Sequence, residues 1–481
     1  MNIIIFPALP EIFIAVMILV MLMIDAFISN AKKSINTFLT IITLSGAFLL
    51  QLSVYFPGVV QLAFKRMFIL DLLTQGISLF IYLLGLIIVI YVQQYVVDKK
   101  LLKGEFYVIL LFAILGMLIM IAANNMLILY LGLELLSLAL YGLIALNRDR
   151  VKATESAMKF FILSAFASGI LLYGISFIYG ATGGKLQLNE IFQALYTGNE
   201  LNSQILTFGL VFIIAGLFFK WGLVPFHMWV PDVYEGAPLP VTMIIGTITK
   251  LAAVVFVIRF LIAALVLLNK EWSVMLAVLA FLSLFLGNLA AIFQTNIKRM
   301  LGYSAIAQMS FVAFGLMSVT IDGMSAMLFY VITYVLTTLT GFGVLILLSR
   351  DNYECEKIED LKGLSKSHPL YAFILLLVML SLAGIPPLVG FYAKFKILEA
   401  LMAIGYFRSV GFILILSLIG AYYYLRVIKV MYFEEKDMEL RLADTSLFNR
   451  GLLVLNGCSL LLLGILPNGL MVYCLKLVSG G

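Results

Sequence analysis

Charge is scarce in this chain. Of 481 residues, 12% are Asp, Glu, Lys or Arg, about half the ~25% of a soluble domain. With 63% hydrophobic residues and a mean hydropathy of +1.13, no soluble fold could bury its apolar surface. Histidine and cysteine are equally sparse: His227 and His368, and Cys355, Cys458 and Cys474. The cysteines form no CxxC pair and show no metal-ligand spacing, so the chain is expected to hold no metal and no redox centre. No Walker loop or dinucleotide fingerprint is present. Gly180, Gly183 and Gly184 in GATGGK lack the strand-to-helix context of a phosphate cradle. The net charge of +6 follows from loop topology and gives no reason to expect nucleic-acid binding.

What is present is a series of long apolar runs. A transmembrane helix needs ~20 apolar residues, and fourteen such segments are readable: 5–28, 36–56, 69–95, 105–123, 126–146, 154–180, 204–230, 239–263, 273–294, 300–319, 323–349, 370–398, 408–433 and 451–475. The first has no basic leader and no clear cleavage site, so it is read as a retained helix. Placing the N-terminus outside puts seventeen Lys and Arg in inner loops and six in outer loops. By the positive-inside rule both termini then face outward. The loop 434–450 mixes charge with Met438, Leu440 and Leu442 and reads either as a surface helix contacting a partner or as a solvated loop.

Proline is also rare, eleven in all, which makes its positions informative. Pro225 interrupts the seventh span, and Pro386 and Pro387, flanked by Gly384 and Gly390, interrupt the twelfth. Proline cannot donate a backbone hydrogen bond, so both spans should be broken. The breaks lie five spans apart and therefore cross in opposite directions, as expected of two inverted five-helix repeats, spans 4–8 and 9–13. The chain divides accordingly into a three-helix flank (1–100), a first repeat (101–265), a second repeat (266–433), and an inner loop with the final helix (434–481). The fold class expected is an all-α polytopic membrane protein with helices 7 and 12 discontinuous.

Inside these spans lie ionisable groups. Lys220 is central in span 7, Glu134 in span 5 and Lys250 in span 8, while Lys394 follows the break in span 12. A lysine at mid-bilayer costs ~2.5–3.5 kcal/mol on insertion scales, and such residues mark ion or proton pathways. Lysine can accept and donate a proton, which arginine cannot. Moving Glu134 toward or away from Lys220 could therefore switch the amine between holding and releasing one. The alternative is a buried ion pair that only fixes packing. Lys159, two turns into span 6, reaches either the inner surface or the Glu134–Lys220 pair. His227 is a relay candidate or an interfacial histidine. Tyr141, Ser137, Ser304 and Gln308 line a wet path or act as helix glue. Asp71 reads as interfacial, and Arg259 as snorkelling from the end of span 8.

Four segments carry a resemblance: FKWGLVPFHMWVPDVYEGAPLPVT (219–242), ESAMKFFILSAFASGILLYGISFIYGATG (155–183), KRMLGYSAIAQMSF (298–311) and GIPPLVGFYAKF (384–395). Together they resemble the antiporter-like subunits of respiratory complex I over most of residues 100–430, and among them the N type. The chain ends soon after span 14, without the lateral helix of the L type. It has Lys394 where the M type has a glutamate. The cation/proton antiporter subunits of the Mrp type share the core motifs and are the rival reading.

The resemblance implies a proton-translocating subunit coupled to electron transfer from NADH to quinone elsewhere in the complex. Glu134, Lys159, Lys220, Lys250 and Lys394 would form the relay, with His227, Tyr141 and Ser304 accessory. NADH, FMN, iron–sulfur clusters and quinone would belong to other subunits. The implied partners are the M-type subunit, the small membrane subunits, the lateral helix of the L-type subunit, and lipid. The implied location is a bacterial inner membrane.

Overall fold

A computed structural model describes residues 6–27, 34–54, 58–99, 105–198, 202–349, 353–435 and 447–480. Helices dominate: α1 (Leu9–Phe27), α2 (Ser34–Ser53), α3 (Leu72–Asp98), α4 (Glu105–Ala122), α5 (Met126–Ala145), α6 (Val151–Ala181), α7 (Leu188–Thr197), α8 (Ser203–Trp221), α9 (Trp229–Gly236), α10 (Leu239–Gly246), α11 (Ile248–Val257), α12 (Asn269–Ile292), α13 (Ile297–Met317), α14 (Ile321–Leu348), α15 (Leu364–Ser367), α16 (Pro369–Ala383), α17 (Val389–Ala403), α18 (Phe407–Phe433), α19 (Leu447–Ile465) and α20 (Asn468–Ser479). Two short strands, β1 (Gln61–Ala63) and β2 (Phe68–Leu70), pair antiparallel between α2 and α3.

Among the described residues, thirteen helical runs are long and apolar enough to cross a membrane. The broken pair α16 and α17 makes the fourteenth expected span. The centre is built from α10–α11, α13 and α14, which other helices enclose almost completely, while α1, α2, α6, α12, α18 and α19 lie outermost. Outward residues such as Phe166, Phe412 and Leu418 are exposed, as suits a lipid-facing rim.

Both expected breaks are present, with sharper boundaries than the hydropathy gave. The seventh span stops at Trp221 and resumes as the short α9. The twelfth divides into α16 and α17. Each first half ends on a left-handed glycine, Gly222 (φ 75°) and Gly384 (φ 84°). At each, the glycine N–H and the next N–H return to carbonyls of the last turn: Gly222 to Phe218 and Phe219, Leu223 to Phe218; Gly384 to Leu380 and Ser381, Ile385 to Leu380. A side chain at φ > 0 would be strained, so glycine closes both helices. The Val224–Pro225 and Pro386–Pro387 peptide bonds are cis.

The structure also departs from the sequence reading. The eighth span is interrupted at Thr247 (φ −120°, ψ −97°) and ends in a wide π-helical turn, Ile258–Ala264. The stretch 181–203 holds the amphipathic α7. The last span divides at Pro467. Of the loop 434–450, residues 436–446 lie outside the described residues.

Candidate functional site

A helix that stops inside a protein leaves carbonyl groups without intrahelical partners, at the negative end of the helix dipole. In both broken spans a lysine occupies that end, Lys250 fully buried and Lys394 half-buried. Lys250 donates through Nζ to the carbonyls of Trp221 (2.9 Å) and Lys220 (3.3 Å) at the end of α8. Lys394 donates to those of Leu382 (2.9 Å) and Ala383 (3.1 Å) at the end of α16. The two carbonyls stand in the same place relative to Gly222 and Gly384. Each ammonium also lies over an aromatic face, Lys250 5.5 Å from Trp229 and Lys394 5.2 Å from Phe311. A cation is stabilised here by charge-assisted hydrogen bonds and a ring quadrupole, with no carboxylate within ion-pair distance among the described residues.

Lys220 projects from the last turn of α8. Its Nζ donates to Ser164 Oγ on α6 (2.6 Å) and Ser137 Oγ on α5 (2.9 Å). Glu134, one turn before Ser137, makes no ion pair with it: two hydroxyls hold the amine, and the carboxylate acts on it only through its field. Oε1 of Glu134 is buried without a hydrogen-bond partner among the described residues. The acid and the amine are thus neighbours held short of contact. Around them Tyr141 packs edge-on against Phe160 (5.2 Å) and Phe161 (5.4 Å), and Phe160 lies on Trp229 (4.7 Å). His227 lies half-buried in the break, its Nδ1 unpartnered among the described residues.

Ser304 belongs to the second break. Its Oγ shares a 2.5 Å hydrogen bond with Tyr424 OH. Gln308 Nε2 donates to Tyr424 OH (2.9 Å) and to the Leu382 carbonyl (3.0 Å) that also receives Lys394. Tyr330 donates to Gln308 Oε1. Thr337 and Ser381 sit alongside, their hydroxyls 3.4 Å apart. Tyr424, Tyr330 and Ser381 escaped the sequence reading, although three consecutive tyrosines in an apolar helix were a signal. Ser164 escaped it too, one of two serines on the otherwise apolar middle of α6.

Lys159 is not brought to this row. It is held at the protein surface by Glu155 (2.7 Å) and Asp232 (2.9 Å). Arg299 joins the cluster through Asp232 (2.7 Å) and Glu235 (3.0 Å), and Lys152 through Glu235 (3.1 Å). Burial works against the charged forms of Asp232 and Glu235. The cations Lys159, Lys152 and Arg299 outweigh it and hold both below the usual carboxylate range. Two further cations lie deeper than their sequence positions suggest. Arg259 does not snorkel but is buried, with a two-pronged bond to Asp71 (2.7 Å each). Asp71 is correspondingly a paired helix cap. Lys298, in the first turn of α13, is buried and donates to the Ala237 carbonyl (2.9 Å) at the end of α9. Among the described residues no group of three or more His, Cys, Asp or Glu could hold a metal ion.

Two broken helices, each with an interior lysine on its freed carbonyls, define an antiporter-like transmembrane protein. The family model for the NADH:quinone oxidoreductase/Mrp antiporter transmembrane region matches residues 123–420. NADH-quinone oxidoreductase subunit N of Laribacter hongkongensis is 49% identical over 98% of this chain and 97% of its own length. A chain of the respiratory complex I of Thermus thermophilus superposes with a TM-score of 0.81 at 31% identity, covering 96% of this chain and 99% of that one. A chain of the Mrp complex from Dietzia sp. DQ12-45-1b shares the fold, with a TM-score of 0.83 at 17% identity, covering 98% and 96%. The chain belongs to the NADH-quinone oxidoreductase subunit N family.

Proposed function

We propose that the chain is a proton-translocating subunit of the membrane arm of an NADH:quinone oxidoreductase. NADH, FMN, iron–sulfur clusters and quinone are handled by other subunits, and this chain supplies the relay. The observation that carries the reading is the paired arrangement of Lys250 and Lys394. Each amine, Lys250 fully buried and Lys394 half-buried, is bonded to helix-end carbonyls that stabilise the charged form without neutralising it. A full ion pair would fix the proton. Dipoles and hydroxyls leave the amine able to release it when the local field changes. Glu134, close to Lys220 but not bonded to it, is the group whose displacement would change that field.

In this reading a charge or water rearrangement driven by quinone reduction alters the Glu134–Lys220 separation. Lys220 then exchanges its proton with Lys250 across the α8 terminus, and the Gln308–Tyr424–Ser304 network connects Lys394 to the second half of the path. Tyr141 and His227 shape the wall and mouth of the first break. Lys159 acts at the surface, where its ion cluster ties α6 to α9. The relay is thus Glu134, Lys220, Lys250 and Lys394, with Lys159 outside its interior.

Two inverted repeats, spans 4–8 and 9–13, underlie the pairing. Their support is that Asn125 caps α5 and bridges Gln187, while Asn296 caps α13 and bridges Lys357. Gly116 packs on the backbone of Gly132 and Leu136 as Gly287 packs on that of Tyr303 and Ala307. The proposed partners are the M-type subunit, the small membrane subunits and the lateral helix of the L-type subunit. The setting is a bacterial inner membrane with both termini outside.

Lys220→Ala tests the reading. The variant complex should assemble and bind NADH, yet lose pumping-linked quinone reduction by ~10²-fold, the usual contribution of a positioned acid–base group. Normal proton uptake in proteoliposomes containing that variant would refute it.

A further inference from the structure

Outside the lysine row, α1, α2 and α3 enclose a second set of buried polar groups. Glu11, in the first turn of α1, is 7% exposed, and its Oε2 has no hydrogen-bond partner among the described residues. The same holds for both amide atoms of Gln51 on α2, and for Ser78 Oγ and Tyr82 OH on α3, all on residues no more than 1% exposed. These residues belong together. Glu11 and Tyr82 interact electrostatically. Gly46 lies against Phe13 and Gly85 against Leu44, a register that sets Gln51 and Ser78 about one turn from Glu11 and Tyr82 toward the start of α3. Four adjacent buried side chains with unmet hydrogen-bonding capacity point to ordered water among them.

The charge state follows from the neighbours. The helices α1 to α4 carry no Lys or Arg in their described lengths. Tyr82 is the titratable group that faces Glu11. The acids Asp25, Asp98 and Glu105 sit at the far ends of these helices, Asp25 holding Asn36 and Asp98 holding Gln94. Of the helices packed against α3, α11 brings Lys250, which is committed to the α8 carbonyls. From α20 comes Lys476, which is exposed, and from α14 comes Asp322, in its first turn. Arg259 is committed to Asp71. The positive end of α1 favours an anion at Glu11 only weakly, against the larger penalty of an unpaired buried carboxylate. Asp71, Thr74, Ser78 and Tyr82 recur on one face of α3, and Asp71 is partly exposed, so a polar stripe leads from the surface to Glu11.

We propose that Glu11, with Gln51, Ser78 and Tyr82, forms a second proton-holding, water-linked site in the N-terminal flank, reached from solvent along the Asp71–Thr74 face of α3. It is independent of the lysine relay.

The test is the infrared spectrum of the assembled complex, wild type minus Glu11→Gln, at neutral pH. The expected difference is the C=O stretch of a protonated carboxylic acid, shifting downward after transfer to D2O. Absence of that band overturns the proton-holding site, and a band that ignores D2O overturns the solvent link. Should Glu11→Gln fail to assemble, Tyr82→Phe in place of it should move the same band, and an unmoved spectrum counts against the site. Dicyclohexylcarbodiimide, which adds to protonated carboxyls buried in membranes and leaves an N-acylurea, provides a check on the unmodified complex. Mass spectrometry should find that adduct on Glu11.

Discussion

Lys250 shows how one side chain is asked to do two things. It satisfies the Lys220 and Trp221 carbonyls at the end of α8, and in the proposed relay it gives up its proton. The two roles separate by substitution. Lys250→Arg keeps a cation at the helix end but cannot release a proton. It should preserve the thermal stability of the complex and abolish pumping. Lys250→Met removes the cation and leaves buried carbonyls unpaired, at ~1–3 kcal/mol each, partly offset because no charge is buried any longer. It should lower both stability and pumping. Proton uptake in proteoliposomes, measured beside a melting curve, reads both, and an arginine variant that pumps normally would show that Lys250 is only a helix cap. Glu134→Gln keeps the shape of its side chain and deletes the field on Lys220. It should slow pumping and leave assembly intact, as judged by native gel and coupled NADH oxidation.

At the scale of the element, the breaks depend on Gly222 and Gly384. In Gly222→Ala the new Cβ meets Val230 Cγ2 at 2.5 Å, on a backbone at φ 75°. In Gly384→Ala it meets Lys394 Cδ at 2.9 Å, at φ 84°. Each should destabilise by ~1–3 kcal/mol, and only the second should also displace a lysine of the proposed relay. Gly451, in α19 with nothing within 4 Å, is the control. There alanine should be neutral or stabilising by up to ~1 kcal/mol, which a thermal scan of the three variants would check. These breaks were legible in the sequence because proline and glycine act locally. The lysines were legible because charge in an apolar run is conspicuous. What each lysine binds was not, because carbonyls become available only where a neighbouring helix ends. The ends of α8 and α16 are tertiary facts for Lys250 and Lys394. The same reason hid the Arg259–Asp71 pair, two residues that hydropathy places separately at membrane edges. The turn at Thr247 was missed because one glycine, Gly246, was too weak a signal within an otherwise continuous apolar run.

Across the whole molecule, ion pairs join parts that the hydrophobic core only packs. Arg299 of α13 reaches back to Asp232 and Glu235 of α9, and Arg150 before α6 binds Glu354 and Glu356 after α14. These pairs are partly exposed, so each should add no more than ~1 kcal/mol to stability; they tie α13 to α9 and the segment after α14 to the start of α6. The pair between Asp71 and Arg259 differs, because Arg259 is buried and ties the start of α3 to the end of the eighth span. Burial opposes the charged carboxyl of Asp71. The Arg259 guanidinium and the Thr74 N–H outweigh it and hold Asp71 below its usual range. A depressed carboxyl contributes stability that is present above its unfolded value, near ~4, and is lost as pH falls through the lower folded value. Asp71→Asn should therefore cost up to ~3 kcal/mol at neutral pH. Its deficit against the wild type should stay constant down to the ordinary carboxylate range and shrink only below it. Melting curves of the two complexes across that acid range decide the matter. A deficit that shrinks already between neutral pH and that range would mean that some other group, not Asp71, carries the linkage.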